Sequence, residues 1–167
     1  RPCMKAQCRF NTRACMSLIQ PQDVYEAIRR ISDKRKDEGA RRDQFKRILV
    51  CRTDRIGDVL LSTPVLKTLR KEFSYAYIAM MVSAQCRQLV AGNPYLDEVI
   101  VLDKVKQHGS LFGMMRLIRA LRAGKFDVAF ILHPTNRVHW LMFLSGITRR
   151  IGYARKSGFL LTDAIAH

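Results

Sequence analysis

The stretch Arg47-Ile48-Leu49-Val50-Cys51-Arg52-Thr53-Asp54-Arg55-Ile56-Gly57-Asp58-Val59-Leu60-Leu61-Ser62-Thr63-Pro64 carries one complete unit of the fold. Its opening, 47–51, is a short apolar and partly β-branched run, the pattern of a strand buried on both faces. The polar segment 52–58 follows, with one glycine for a tight turn, and an apolar helical pattern takes over at Val59. A strand that passes through a short loop into a helix is the repeating unit of a parallel α/β domain.

The alternation continues outward from this unit. Strands are expected at 47–51, 77–82, 98–102, 127–132 and near 150–153, with helices at about 59–72, 84–91, 110–123 and 136–145. The run Val128-Ala129-Phe130-Ile131-Leu132 is apolar throughout, as a central parallel strand should be. The fold class is therefore α/β: a Rossmann-like, doubly wound parallel sheet. Ligands of such sheets bind in the crevice at the carboxyl ends of the strands. That points to the loops 52–58, 83–86, 103–109 and 133–137.

Upstream of Lys46 the character differs. Residues 1–20 lack periodicity and carry Arg1, Lys5, Arg9 and Arg13 with no acid, the pattern of a disordered or non-native extension. Residues 21–45 read as a helix, 22–38, and a charged linker. Asp23 and Glu26 have capping-box spacing, and Val24, Ala27, Ile28 and Ile31 form an apolar stripe. The Rossmann-like domain is then 46–167. Both chain ends, at Arg1 and His167, read as those of a fragment.

Composition narrows the class of protein. No apolar run approaches the roughly 20 residues of a membrane-spanning helix, and no signal-like apolar segment follows the basic first residues, so a cytoplasmic protein is expected. Five cysteines without a C-x-x-C pair favour neither a disulfide framework nor zinc. The formal net charge of +16 favours an anionic partner: a nucleic acid, an anionic membrane or a phosphorylated substrate. Residues 46–167 alone hold 19 Lys and Arg against 8 acids, so the globular part is itself basic.

The loop 52–58 is neither a dinucleotide fingerprint nor a P-loop, because G-x-G-x-x-G and G-K-[ST] are both absent. It does hold two carboxylates, Asp54 and Asp58. Asp58 reads either as a helix cap or as a carboxylate kept ionised by the helix N-terminus and free to accept a proton. The loop His133-Pro134-Thr135-Asn136-Arg137-Val138-His139 brings imidazoles, an amide and a guanidinium to the same sheet edge, where Asn136 is also a candidate helix cap. On helix 110–123, Arg116, Arg119 and Arg122 recur every three residues. They make either a solvated face or one suited to an anionic membrane. Phe112, Met114 and Met115 read as core. No metal site is expected, since His133 and His139 have no third ligand at suitable spacing.

Four segments in order resemble glycosyltransferase family 9, which contains the ADP-heptose:lipopolysaccharide heptosyltransferases. They are 48–64 with its Gly57-Asp58 and Thr63-Pro64 pairs, Gly92-Asn93-Pro94-Tyr95-Leu96-Asp97-Glu98-Val99-Ile100, Phe126-Asp127-Val128, and Gly146-Ile147-Thr148-Arg149-Arg150-Ile151-Gly152-Tyr153. The resemblance covers about 46–163 and implies the N-terminal half of a GT-B enzyme, in which a C-terminal domain binds the nucleotide sugar. It implies inverting, metal-independent transfer of a heptose from ADP-heptose to the lipopolysaccharide inner core on lipid A, with no cofactor. Asp58 would be the base, and Gly57, Thr53, Arg55, Asn136, Arg137 and His139 would meet the acceptor. Arg116, Arg119 and Arg122 would face the anionic inner membrane. Without a donor domain this half is expected to be inactive. The rival readings are a basic nucleic-acid-binding module, which no recognisable reader motif supports, and a non-catalytic fragment.

Overall fold

The computed structural model describes Glu26 and residues 45–103, 110–154 and 156–165. Apart from Glu26, the expected extension and the expected helix 22–38 lie outside the described residues, as does most of the loop 103–109.

Six strands form one sheet: β1 (Arg47–Arg52), β2 (Tyr77–Ser83), β3 (Glu98–Leu102), β4 (Val128–Ile131), β5 (Arg149–Tyr153) and β6 (Asp163–Ile165). Their spatial order is β3-β2-β1-β4-β5-β6, and every neighbouring pair is parallel. The expected strands are all present within a residue or two. β6 was not anticipated: three residues of mixed polarity carry no periodic signal.

Among residues 45–165 that are described, four α-helices cover the sheet: α1 (Ile56–Glu72), α2 (Arg87–Val90), α3 (Leu111–Ala123) and α4 (Asn136–Leu144). Side chains alternate across each strand, so the core divides into two layers. Ile48, Val50, Ile78, Met80 and Phe130 meet Val59, Val65, Leu66 and Leu69 of α1 and Val90 of α2 on one face. Leu49, Cys51, Met81, Ala129 and Ile131 meet Leu117, Ile118 and Leu121 of α3 and Val138, Leu141 and Met142 of α4 on the other. This is the doubly wound arrangement. Phe45, grouped by sequence with the linker, belongs to the core and packs its ring against Phe73.

Three local expectations change. Helix 84–91 is a single 3-10 turn, Ala84–Cys86, followed by the one-turn α2. α1 begins three residues earlier than its apolar pattern, so Gly57 and Asp58 lie inside its first turn instead of in the loop. Phe112 and Met115 are not core: α3 buries Leu117, Ile118 and Leu121, which leaves Leu111 79% and Phe112 88% exposed.

The Thr63-Pro64 pair has a structural reason. Pro64 has no N–H, so the carbonyl of Leu60 loses its helical donor. The Thr63 hydroxyl donates to that carbonyl at 2.7 Å and fills the gap.

Three aspartates tie down the amino-terminal edge of the sheet. Asp127 accepts the backbone N–H groups of Lys46 and Arg47, each at 2.8 Å. Asp97 accepts the Ile78 N–H at 2.6 Å and pairs with Arg70 at 2.7 Å. Asp163 pairs with Arg149 at 2.9 Å.

Candidate functional site

The strand order reverses between β1 and β4, whose outer neighbours β2 and β5 were reached by helices on opposite faces. Loops leaving two such strands diverge and open a crevice at their carboxyl ends. The loop after β1 and the loop after β4 both end there.

Arg52, the last residue of β1, organises this corner. Its side chain is buried, and each part of the guanidinium has a separate contact. Nη1 donates to the carbonyl of Leu132, just past β4, at 2.7 Å. Nε lies 2.9 Å from Asp54 Oδ1, and Nη2 lies 3.4 Å from Asp58 Oδ1. One cation thus contacts two largely buried carboxylates. Burial raises the pKa of Asp54, Arg52 pulls it down in part, and the nearby Asp58 raises it again, to about 6.

Neither carboxylate caps α1. The cap residue is Arg55, which makes no side-chain capping bond, and Asp58 sits in the first turn. A carboxylate in the first turn is stabilised by the helix dipole. Gly57 is exposed beside it, and outside its own chain neighbours and helix backbone nothing lies within 4 Å of where its Cβ would be. The chain's own packing does not require glycine there.

The other expected contact residues divide sharply. Thr53 is only 2% exposed, and its hydroxyl lies 3.4 Å from His133 Nδ1, which links the two loops across the crevice. Arg55 and Arg137 are exposed at the crevice mouth. Asn136 does not cap α4: Thr135 does, accepting the Val138 N–H at 3.3 Å. Asn136 Oδ1 instead accepts from the N–H and hydroxyl of Ser157, at 3.3 and 3.1 Å, and holds the turn after β5. His139 is fully buried on α4, with no hydrogen bond to either ring nitrogen. Burial, together with the charge of Lys156, lowers its pKa and keeps the ring neutral. Facing the core, it does not reach a ligand in the crevice, which corrects its expected role.

Arg116, Arg119 and Arg122 are exposed along α3, and Arg122 Nε donates to the Leu144 carbonyl at 3.0 Å. Cys51 and Cys86 are free and buried, and burial pushes the Cys51 thiol up. Among the described residues no three His, Cys, Asp or Glu side chains cluster at metal-ligand spacing, and no helix is long and apolar enough to cross a membrane.

The all-parallel order with its charged corner at the reversal defines the class: a Rossmann-like domain of the GT-B glycosyltransferase type. Lipopolysaccharide heptosyltransferase 2 of Escherichia coli K12 is 30% identical over 120 residues, 70% of this chain and 34% of that protein. Its counterpart from Salmonella typhimurium LT2 is 31% identical over 121 residues, 71% and 34% of the two chains. The crystal structure of a family 9 glycosyl transferase from Veillonella parvula superposes with a TM-score of 0.65 at 32% identity, covering 71% of this chain and 35% of that one. No family model matches the chain. On these relatives and this fold, the chain belongs to glycosyltransferase family 9. It spans about a third of the length of the curated relatives it matches.

Proposed function

We propose that this domain holds the acceptor in an inverting, metal-independent heptosyl transfer from ADP-heptose to the lipopolysaccharide inner core. The observation that carries the reading is the Arg52–Asp54–Asp58 cluster at the strand-order reversal, in a chain similar to two lipopolysaccharide heptosyltransferases.

Asp58 is the base. Its carboxylate takes the proton of the acceptor hydroxyl as that oxygen bonds to the anomeric carbon of the heptose. The bond from that carbon to the phosphate oxygen breaks with its electron pair, and ADP leaves. Attack from the face opposite ADP inverts the centre, as water does in inverting glycosidases. Open space above Gly57 admits the acceptor, and Arg55 and Arg137 suit its anionic groups. Thr53 and Asn136 shape the crevice from behind through His133 and Ser157. The leaving pyrophosphate needs positive charge or backbone donors from a donor-binding domain, so this domain by itself does not turn over.

The acceptor is part of a lipid, and α3 is suited to meet its bilayer on the cytoplasmic side. Leu111, Phe112 and Met115 are exposed beside Arg116 and Arg119, an apolar tip with basic flanks.

The test is transfer of labelled heptose from ADP-heptose to a heptose-free inner-core acceptor, with this domain joined to a donor-binding domain. Transfer that is lost in Asp58→Ala while saturable acceptor binding persists is the expected result. Undiminished turnover in Asp58→Ala would sink the base assignment. Oligonucleotide binding that outcompetes the acceptor, and that falls steeply with salt, would favour the nucleic-acid reading.

A further inference from the structure

We propose that Arg52 is the positioning residue of this site: anchored across the strand-order reversal, its buried guanidinium holds the Asp58 carboxylate in one orientation at the crevice. The inference rests on the reading of Asp58 as the base, and it deepens that reading.

A guanidinium inside a protein is costly, and replacing a buried ion pair with apolar side chains often leaves stability unchanged or improved. Arg52 is nevertheless the last residue of a strand whose interior is Ile48, Leu49, Val50 and Cys51, and it is 6% exposed. Fold stability alone does not call for arginine at this place.

The planar fork is used on every edge. Nη1 donates to the carbonyl of Leu132 at 2.7 Å, and Leu132 follows β4. The guanidinium is thereby fixed to a different strand from the one that carries it. Nη2 reaches Asp58 Oδ1 at 3.4 Å, in the first turn of α1. Nε lies beside Asp54 Oδ1 at 2.9 Å, yet among the described residues neither atom has a hydrogen-bond partner. Asp54 therefore offsets the charge of the cation, while the bond to Leu132 sets its direction.

Asp58 has little else to hold it. It is not the cap residue of α1, and no side-chain capping bond is made at that helix end. Its neighbour Gly57 is exposed and brings no side chain against it. The Asp58 side chain is also the most open of the three, 18% exposed against 15% for Asp54 and 8% for Arg52. It can meet a ligand from the crevice while Arg52 holds it from behind.

A lysine at 52 keeps the charge but replaces the fork with a point charge on a flexible stem, which cannot hold Leu132 and Asp58 together in one geometry. Asp58 should then sample several rotamers, and misplacing a reacting group by about 1 Å costs about a hundredfold in rate.

Two measurements test this. The first is made on the full chain: three-bond couplings at Asp58 by NMR, in wild type and Arg52→Lys. Wild type should show one χ1 rotamer and Arg52→Lys an average over several, with the resonances of β2 and β5 unmoved. A single unchanged rotamer in Arg52→Lys would overturn the proposal. Should Arg52→Lys lose its native spectrum, Arg52→Gln is read in the same way.

The second is the transfer assay, with this domain joined to a donor-binding domain. Arg52→Lys should lower kcat about a hundredfold while KM for acceptor and donor stays within about twofold. In an Asp58→Ala background the same substitution should cost nothing further, because its effect passes through Asp58. A loss that multiplies in that background, or one that appears in KM alone, would mean a structural role and overturn the proposal. Absence of transfer in wild type would count against the transferase reading, while the couplings would still decide whether Arg52 holds Asp58.

Discussion

The sheet carries aspartates at both of its ends, and the two ends treat them in opposite ways. At the amino-terminal edge Asp97 is pushed up by burial, but the Ile78 amide and Arg70 outweigh this and hold its carboxyl below the usual range. At the carboxyl-terminal edge burial pushes Asp54 up, its share in Arg52 offsets this only in part, and the nearby Asp58 adds to the rise. The residue type is the same, and each lies within two residues of a strand end. What differs is how deeply each carboxylate is buried and how many donors it has to itself. An aspartate with its own amide and its own cation is a fastener. One that shares a single guanidinium with a second carboxylate is poised to exchange protons.

The largest effect that would test this contrast is on chemistry. Asp58→Ala should reduce heptosyl transfer by two to four orders of magnitude, roughly what loss of a general base costs, with the melting temperature nearly unchanged. A large loss of stability with modest loss of turnover would reverse the roles assigned to the two edges. Asp127→Ala should do the opposite. It strips two backbone N–H groups of their acceptor and should cost about 2 kcal/mol in urea unfolding, while transfer per folded molecule holds.

Asp54→Asn should sharpen the contrast through pH. The folded chain binds the Asp54 proton more tightly than the unfolded chain, so its ionisation destabilises the fold. That cost is absent below the ordinary carboxyl value of 3.8 and complete above about 6. The shift corresponds to about 3 kcal/mol, which solvent screening of this partly exposed group trims to about 2, so the variant should be more stable than wild type by about 2 kcal/mol at pH 8 and equal to it near pH 3.5. Asp97 carries the opposite sign: its contribution is present above 3.8 and disappears as pH falls through its lowered folded value. Asp97→Asn should lower stability at pH 7 more than at pH 2. The smallest effect belongs to Arg149→Ala, which breaks a half-exposed pair with Asp163 and should cost about 0.5 kcal/mol in the same unfolding measurement.

Much of the fold was legible because apolar runs report burial directly. The runs 47–51 and 127–132 could only be interior strands, and their central places in the sheet follow from that. Strand β6 was not legible, since Asp163-Ala164-Ile165 is too short to show a period and takes its place from pairing with β5. In the site, Asp58 stood out by its motif, whereas Arg52 did not: a charge at the end of an apolar run looks like the point where a strand meets solvent. Its unusual feature, burial beside two carboxylates, depends on residue 132 of another strand. The same limit hid the orientation of α4. The stretch 136–144 is apolar or aromatic around most of its circumference, so periodicity did not say that His139 faces inward and Trp140 outward. Likewise Phe112 looked like core by type, but α3 turns Leu117, Ile118 and Leu121 inward and leaves it exposed.

The hydrogen bond from Arg52 to Leu132 spans 80 residues of chain. Parallel neighbours cannot form as hairpins, and β1 acquires β4 only after two intervening strands and three helices have been made. During synthesis the amino-terminal segment must therefore wait, at about 5–20 residues per second, with one flank of β1 unpaired. The corner holding Asp54 and Asp58 is in this sense a late product of folding. Conditions that slow the arrival of β4 leave an apolar strand edge open to other chains, and they delay the site and invite aggregation by the same step.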